Sequence, residues 1–462
     1  MRYAALVAAG ALAGCTLPGK RPEGPAAAAI APPPSWRTEL PAGGAIRAGW
    51  WQAFGDPALS ALVSRALASN IDIEIAAARV EEARAAEALS RAQLSPQIGG
   101  ALPEAQGQSL SPLGTPSRAL VAQPAVTASY DLDLFGRLRL ASRAARAQLL
   151  ASEGARDTVR LATAASAASG YITLRALDQR LAIARATLAA RADALRIARR
   201  RYEAGYSSRL EYRQAEGEYS ATAQLVPAAE LAISRQENAL SLLTGQAPGA
   251  IPRGRPLDDL AAAAIPDGLP ADLLRRRPDL FQAEQTLVAA DRLLDSQRAA
   301  MLPNVALTGS AGLVLSTALS DPVGLFSLGA SILAPIFDAG RLAAQQKAAA
   351  ARRNQAAFAY RRAALVAFRE VDDSLAGVRR TGEQAAELLR QTEAARGALQ
   401  NASNRYRAGY SAYIEQLDAQ RSLLTAELSL VQARTDRLTS HVALYQAMGG
   451  GWSPLDILAV GR

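Results

Sequence analysis

The chain has one cysteine (Cys15), one histidine (His441), three methionines and two lysines (Lys20 and Lys347) in 462 residues, and only 5% of it is aromatic. A single cysteine excludes an intrachain disulfide, and one histidine is too few for a Cys/His zinc centre. An imidazole-centred triad would have to use His441, while carboxylate or Ser–Lys chemistry is left open. No segment beyond the N-terminus offers the roughly 18 consecutive apolar residues of a membrane-spanning helix. Half the residues are nevertheless apolar. Alanine and leucine supply most of them, and both favour helix. The 51 basic residues outnumber the 42 acidic ones for a net charge of +9. Arginine is interleaved with acids, as in EEARAAEALSRAQ over 81–93, which is the pattern of a solvated helix face. No nucleic-acid partner is expected.

The N-terminus reads MRYAALVAAGALAGC. Arg2 provides a positive start, residues 3–13 are apolar but too short to span a bilayer, and Leu12-Ala13-Gly14-Cys15 matches the bacterial lipobox. Residues 1–14 are therefore expected to be a lipoprotein signal peptide, with Cys15 the lipidated first residue of the mature chain. Thr16, in place of an inner-membrane retention aspartate, points to the outer membrane. Residues 15–49 are rich in Pro, Ala and Gly and read as an extended tether.

The rest is a duplicated unit. RYEAGYSSRLEY (201–212) recurs as RYRAGYSAYIEQ (405–416), an offset of 204, and FGR (135–137) recurs as AGR (339–341) at the same offset. Each half (50–262 and 263–462) has the same grammar. A helix over 70–94 or 278–301 ends before Pro96 or Pro303. A Gly/Ser/Thr-rich region follows, with strands expected within about 97–134 and 304–334. A long helix over 137–204 or 341–408 comes next; at 1.5 Å per residue each is on the order of 100 Å. Gly205 and Gly409 make the tip turns, and return helices run over 208–244 and 411–448. Ser208 and Glu211 form a capping pattern at the first return helix, and Pro227 should kink it. Leucine and tyrosine at intervals of seven (Leu174, Leu181, Leu188, Leu195, Tyr202) specify coiled-coil packing. In NVALTGSAGLV (304–314) and FSLGASIL (326–333), apolar residues alternate with small polar ones, the pattern of transmembrane β-barrel strands. Four such strands per chain cannot close a barrel, so chains would have to pool them.

WWQAFGDPALSALVSRALASNIDIEIAAARV (50–80), LLRRRPDLFQAEQTLVAA (273–290), PIFDAGR (335–341) and RYRAGYSAYIEQLDAQRSLLTAE (405–427) together resemble the TolC-like outer-membrane factors, most of all their lipoprotein branch. The resemblance implies a mainly α chain with a β-hairpin pair, and a homotrimer forming a 12-stranded barrel on a helical barrel of 12 members. Its partners would be a periplasmic adaptor and an inner-membrane transporter, together with outer-membrane lipid. It implies passive export with no catalytic residue and no cofactor or metal. It places a periplasmic gate just beyond Gly409: Asp418 and Ile414 ring the constriction, Glu415 sits beside them, and Tyr406 bonds between neighbouring helices to hold the tip shut. Ser411 stands where some members carry a tethering arginine. Trp50 and Trp51 would anchor the N-terminal segment, Asp131 and Asp133 would cap the first long helix, and His441 is read as a packing or surface residue. A type I secretion duct and a lipid-anchored, non-conducting coiled-coil scaffold are the alternative readings.

Overall fold

The computed structural model describes residues 23–38, 48–110, 116–261, 265, 268 and 270–454. Cys15 and the expected signal peptide, residues 1–14, lie outside them. The chain divides into two compact units: one holds Ala78–Glu153 and Gln282–Arg362, with the stretch up to Ile30; the other holds Ala31–Ala77, Gly154–Phe281 and Ala363–Arg462.

The helices are α1 (Pro57–Ser69), α2 (Ile71–Ala92), α3 (Arg137–Glu203), α4 (Arg209–Ala223), α5 (Leu225–Leu243), α6 (Pro270–Arg276), α7 (Pro278–Ala299), α8 (Arg341–Arg407) and α9 (Tyr413–Ala447). No helix among the described residues is long and apolar enough to cross a membrane.

The first unit carries the sheet, made of β1 (Gln97–Ala101), β2 (Glu104–Leu110), β3 (Pro116–Ala122), β4 (Ala125–Asp131), β5 (Asn304–Ser316) and β6 (Val323–Leu333). All pairings are antiparallel: β1 with β4, β2 with β3, and β5 with β6, β4 and the end of β3. The six segments form four lines, because β1–β2 and β3–β4 are each one strand interrupted at Pro103 and Pro124. Proline cannot donate to the ladder. Gln123 N–H bridges one interruption to Pro103 O at 2.9 Å, and Leu313 N–H reaches Pro124 O at 3.0 Å. Gly312 is required here, since a Cβ would lie 2.4 Å from Pro124 O. The line β1–β2 and strand β6 are left as edges. Along β6 every residue is exposed, including Phe326 and Leu328 at 88% each.

Aspartates start both long helices. Asp133 accepts from Leu138 N–H and Arg139 N–H at 2.9 Å each, and Asp131 pairs with Arg137 at 3.0 Å. Asp338 accepts from Leu342 N–H at 2.9 Å. Carboxylates satisfy the orphan amides of a helix N-terminus and complement its dipole.

The second unit has the larger core. Trp50 and Phe54 are buried with Leu59, Val63, Tyr171, Leu174, Leu438 and Val442. Trp50 stacks on Tyr445 with ring centroids 5.3 Å apart. Arg277, from the RRRPD stretch, is buried. It donates to Ala447 O at 2.9 Å and pairs with Asp279 at 2.7 Å and Glu370 at 2.8 Å, tying the segment between the halves to α8 and the end of α9.

Candidate functional site: the paired hairpin tips

At each tip a glycine lets the chain reverse. Gly205 has φ +75° and Gly409 φ +79°. Tyr206 N–H reaches Arg201 O at 2.7 Å and Tyr410 N–H reaches Arg405 O at 2.9 Å, the bond that closes a helix through a left-handed cap. Ser208 then accepts from Glu211 N–H and starts α4. The return helices differ. The second, α9, is continuous over 35 residues, whereas the first breaks at Gln224 into α4 and α5. Pro227 has no N–H for Ala223 O, and the adjacent bonds stretch to 3.3 Å (Gln224 N–H to Ser220 O) and 3.4 Å (Ala228 N–H to Gln224 O).

Near the tips, three sets of contacts fasten the two hairpins. Tyr406 donates its hydroxyl to Glu211 Oε1 at 2.5 Å, with the Arg201 guanidinium 4.5 Å over its ring. Burial, reinforced by the Glu211 carboxylate, pushes the Tyr406 phenol well up, so it stays a donor. Further from the tip, Glu218 lies between two arginines. Arg191, only 2% exposed, donates to Oε2 at 2.5 Å, and Arg421 Nε donates to Oε1 at 2.8 Å. Between these polar layers Tyr413 and Leu417 are buried against Ala198 and Ala215.

Of the residues singled out in the sequence, Tyr406 is in this network and Glu415 is not; Glu415 faces Arg405 of its own hairpin at 3.7 Å. Asp418 has a side chain 66% exposed, 3.9 Å from the Arg421 guanidinium. Ile414 is 44% exposed. Sequence reasoning missed Glu218, Arg191, Arg421 and Arg201, which meet only when the hairpins pack.

His441 is buried on α9. Burial, with Arg437 adding repulsion, lowers its imidazole from 6.5 to about 4. Between those values the unfolded chain takes up a proton that the folded chain refuses. Stability is therefore full above the unfolded value and falls as pH drops toward 4, by on the order of 3 kcal/mol. His441→Gln is expected to flatten this loss, measured as the change in melting midpoint between about pH 7.5 and about pH 4.5.

The family model described as outer membrane efflux protein matches residues 62–246 and 269–450. The chain belongs to that family. Among its relatives, the solvent efflux pump outer membrane protein SrpC of Pseudomonas putida is 36% identical over 414 residues, covering 87% of each chain. The cation efflux system protein CusC of Escherichia coli O6:H1 is 33% identical over 415 residues, 88% of each. The solved outer-membrane channel OprN superposes with a TM-score of 0.84 at 28% identity, over 93% of this chain and 99% of that one. This family member is thus an outer-membrane efflux channel protein, and the tips described above are the ends of its two long helical hairpins.

Proposed function

We propose that three copies of this chain form the exit duct of a tripartite efflux pump. The sheet carries the reading. Four antiparallel lines with edges at β1–β2 and β6 form an open sheet, and three copies joined edge to edge supply a barrel of 12 strands. The apolar outward residues of β6 suit lipid. The helical hairpins continue the duct into the periplasm and meet an adaptor and an inner-membrane transporter, which supplies the energy. The duct is passive and uses no catalytic residue, cofactor or metal. Cys15 carries the lipid after removal of residues 1–14. Ile414 and Asp418 constrict the periplasmic end, Glu415 adds charge beside them, and Tyr406 joins the two hairpins of a chain.

Full-length protein in detergent is expected to have a protein mass of three chains by light scattering, and a monomer would overturn the assembly. Labelled palmitate should enter the protein and be absent from Cys15→Ser. Incorporation into that variant would overturn the anchor.

A further inference from the structure

The hairpins share a tip motif, so each position at the contact between the first and the second has a counterpart position 204 residues away. In a ring where the hairpins alternate, that counterpart lies at the seam between the second hairpin of one copy and the first hairpin of the next; this step rests on the trimeric reading above. The two seams can be compared contact by contact.

The Tyr406–Glu211 bond has Tyr202 and Glu415 as counterparts, with the chemistry unchanged. In the single chain neither is committed across hairpins. Tyr202 is 40% exposed and stacks on Tyr212 with centroids 5.7 Å apart, and Glu415 faces Arg405. The clamp has no counterpart: Arg191, Glu218 and Arg421 correspond to Ala395, Ser422 and Gly217. The apolar layer is reversed. Buried Tyr413 and Leu417 correspond to Arg209 and Arg213, both exposed. Arg213 is already paired with Glu216 of its own helix at 2.5 Å.

We propose that the tip opens at the seams between copies, and that the two hairpins of one chain move as a single body. Parting the hairpins within a chain breaks a Tyr–Glu bond, takes Arg421 away from Glu218 and exposes Tyr413 and Leu417. Parting the seam between copies breaks one Tyr–Glu bond and lets Arg209 and Arg213 hydrate, which arginine does at little cost. The tyrosine hydroxyl at that seam is the principal latch of the duct.

Two matched substitutions test this in full-length lipidated protein in planar bilayers. Tyr202→Phe and Tyr406→Phe each delete one hydroxyl from the same tip motif. Tyr202→Phe is expected to raise open probability about tenfold, the worth of a hydrogen bond to a charged acceptor, while Tyr406→Phe changes it by less than about twofold. Equal effects, or a larger one from Tyr406→Phe, would overturn the proposal. A chain carrying Tyr202→Cys with Glu415→Cys, oxidised in the membrane, should run as covalent dimers and trimers on a denaturing gel. With those species present and the two Phe variants alike, the seam assignment alone fails. With no crosslinked species, the alternating ring fails and the proposal falls with it.

Discussion

An Asp56→Ala variant is expected to lose about 5 kcal/mol of stability, one of the largest losses open to a single substitution in this chain. Asp56 is 1% exposed. One carboxylate oxygen accepts from Ala58 N–H at 2.8 Å and caps α1, where Pro57 holds the first helical position. The other accepts from the Tyr171 hydroxyl at 2.9 Å and from Arg255 N–H at 3.0 Å. Tyr171 is itself fully buried and receives Gly254 N–H at 2.7 Å. Burial, with Asp56 adding to it, pushes its phenol up to about 12, so it remains a donor at any working pH. Alanine removes every acceptor at once. Losing a helix cap costs about 1 kcal/mol, and each buried donor left without a partner costs about 1–3 kcal/mol. Gly254 backs directly onto the carboxylate, since a Cβ on that glycine would lie 2.0 Å from Asp56 Oδ1. Helical circular dichroism during thermal melting in detergent measures the loss. Asp56→Asn, which keeps one acceptor oxygen for the cap, should lose about half as much. A melting midpoint unchanged by Asp56→Ala would show that this junction does not limit the stability of the second unit.

How much of this could be read beforehand varied with how local the cause was. The long helices were legible because glycine, proline and heptad signals act within a few residues. Expected at 137–204 and 341–408, they run over Arg137–Glu203 and Arg341–Arg407. Asp133 was equally plain as a cap. The sheet was half legible. The alternation over 304–314 and 326–333 is strong, and these residues lie in β5 and β6. EAQGQSL, which forms β2, has no run of apolar residues to alternate, and residues 104–108 are all exposed. Its register comes from β3 instead. The break in the return helix was readable from Pro227, though the helix parts at Gln224, where the missing donor is felt. The Arg191–Glu218–Arg421 clamp was not legible. Its members lie on three helices, and no spacing along one helix announces them. The usable signal was the repeat itself, since a duplicated chain reveals its special contacts where the copies disagree.

The second large effect is expected at the constriction proposed above. In planar bilayers, Ile414→Ala with Asp418→Ala should raise unitary conductance several-fold over the parent duct, since each substitution is repeated three times around the axis. Asp418→Asn alone should leave conductance nearly unchanged while lowering the preference for cations, read as the reversal potential in a salt gradient. In the proposed trimer, three solvated carboxylates near one axis would repel each other and attract cations. The effect is to be measured at low salt, because at 0.1 M the screening length is already about 10 Å. Arg421 complicates this ring in a way that can be tested. Its guanidinium is 3.9 Å from Asp418 and also bonded to Glu218 on the first hairpin. While Glu218 holds Arg421, each Asp418 keeps most of its field. Glu218→Gln releases that hold, so Arg421 turns to Asp418 and cation preference falls, as it does in Asp418→Asn. Arg421→Gln removes the cation altogether and should raise the preference above that of the parent. If Glu218→Gln instead left the reversal potential at the parent value while Asp418→Asn shifted it, Arg421 would not be shared between the two acids. The charge of the constriction would then be set by Asp418 alone.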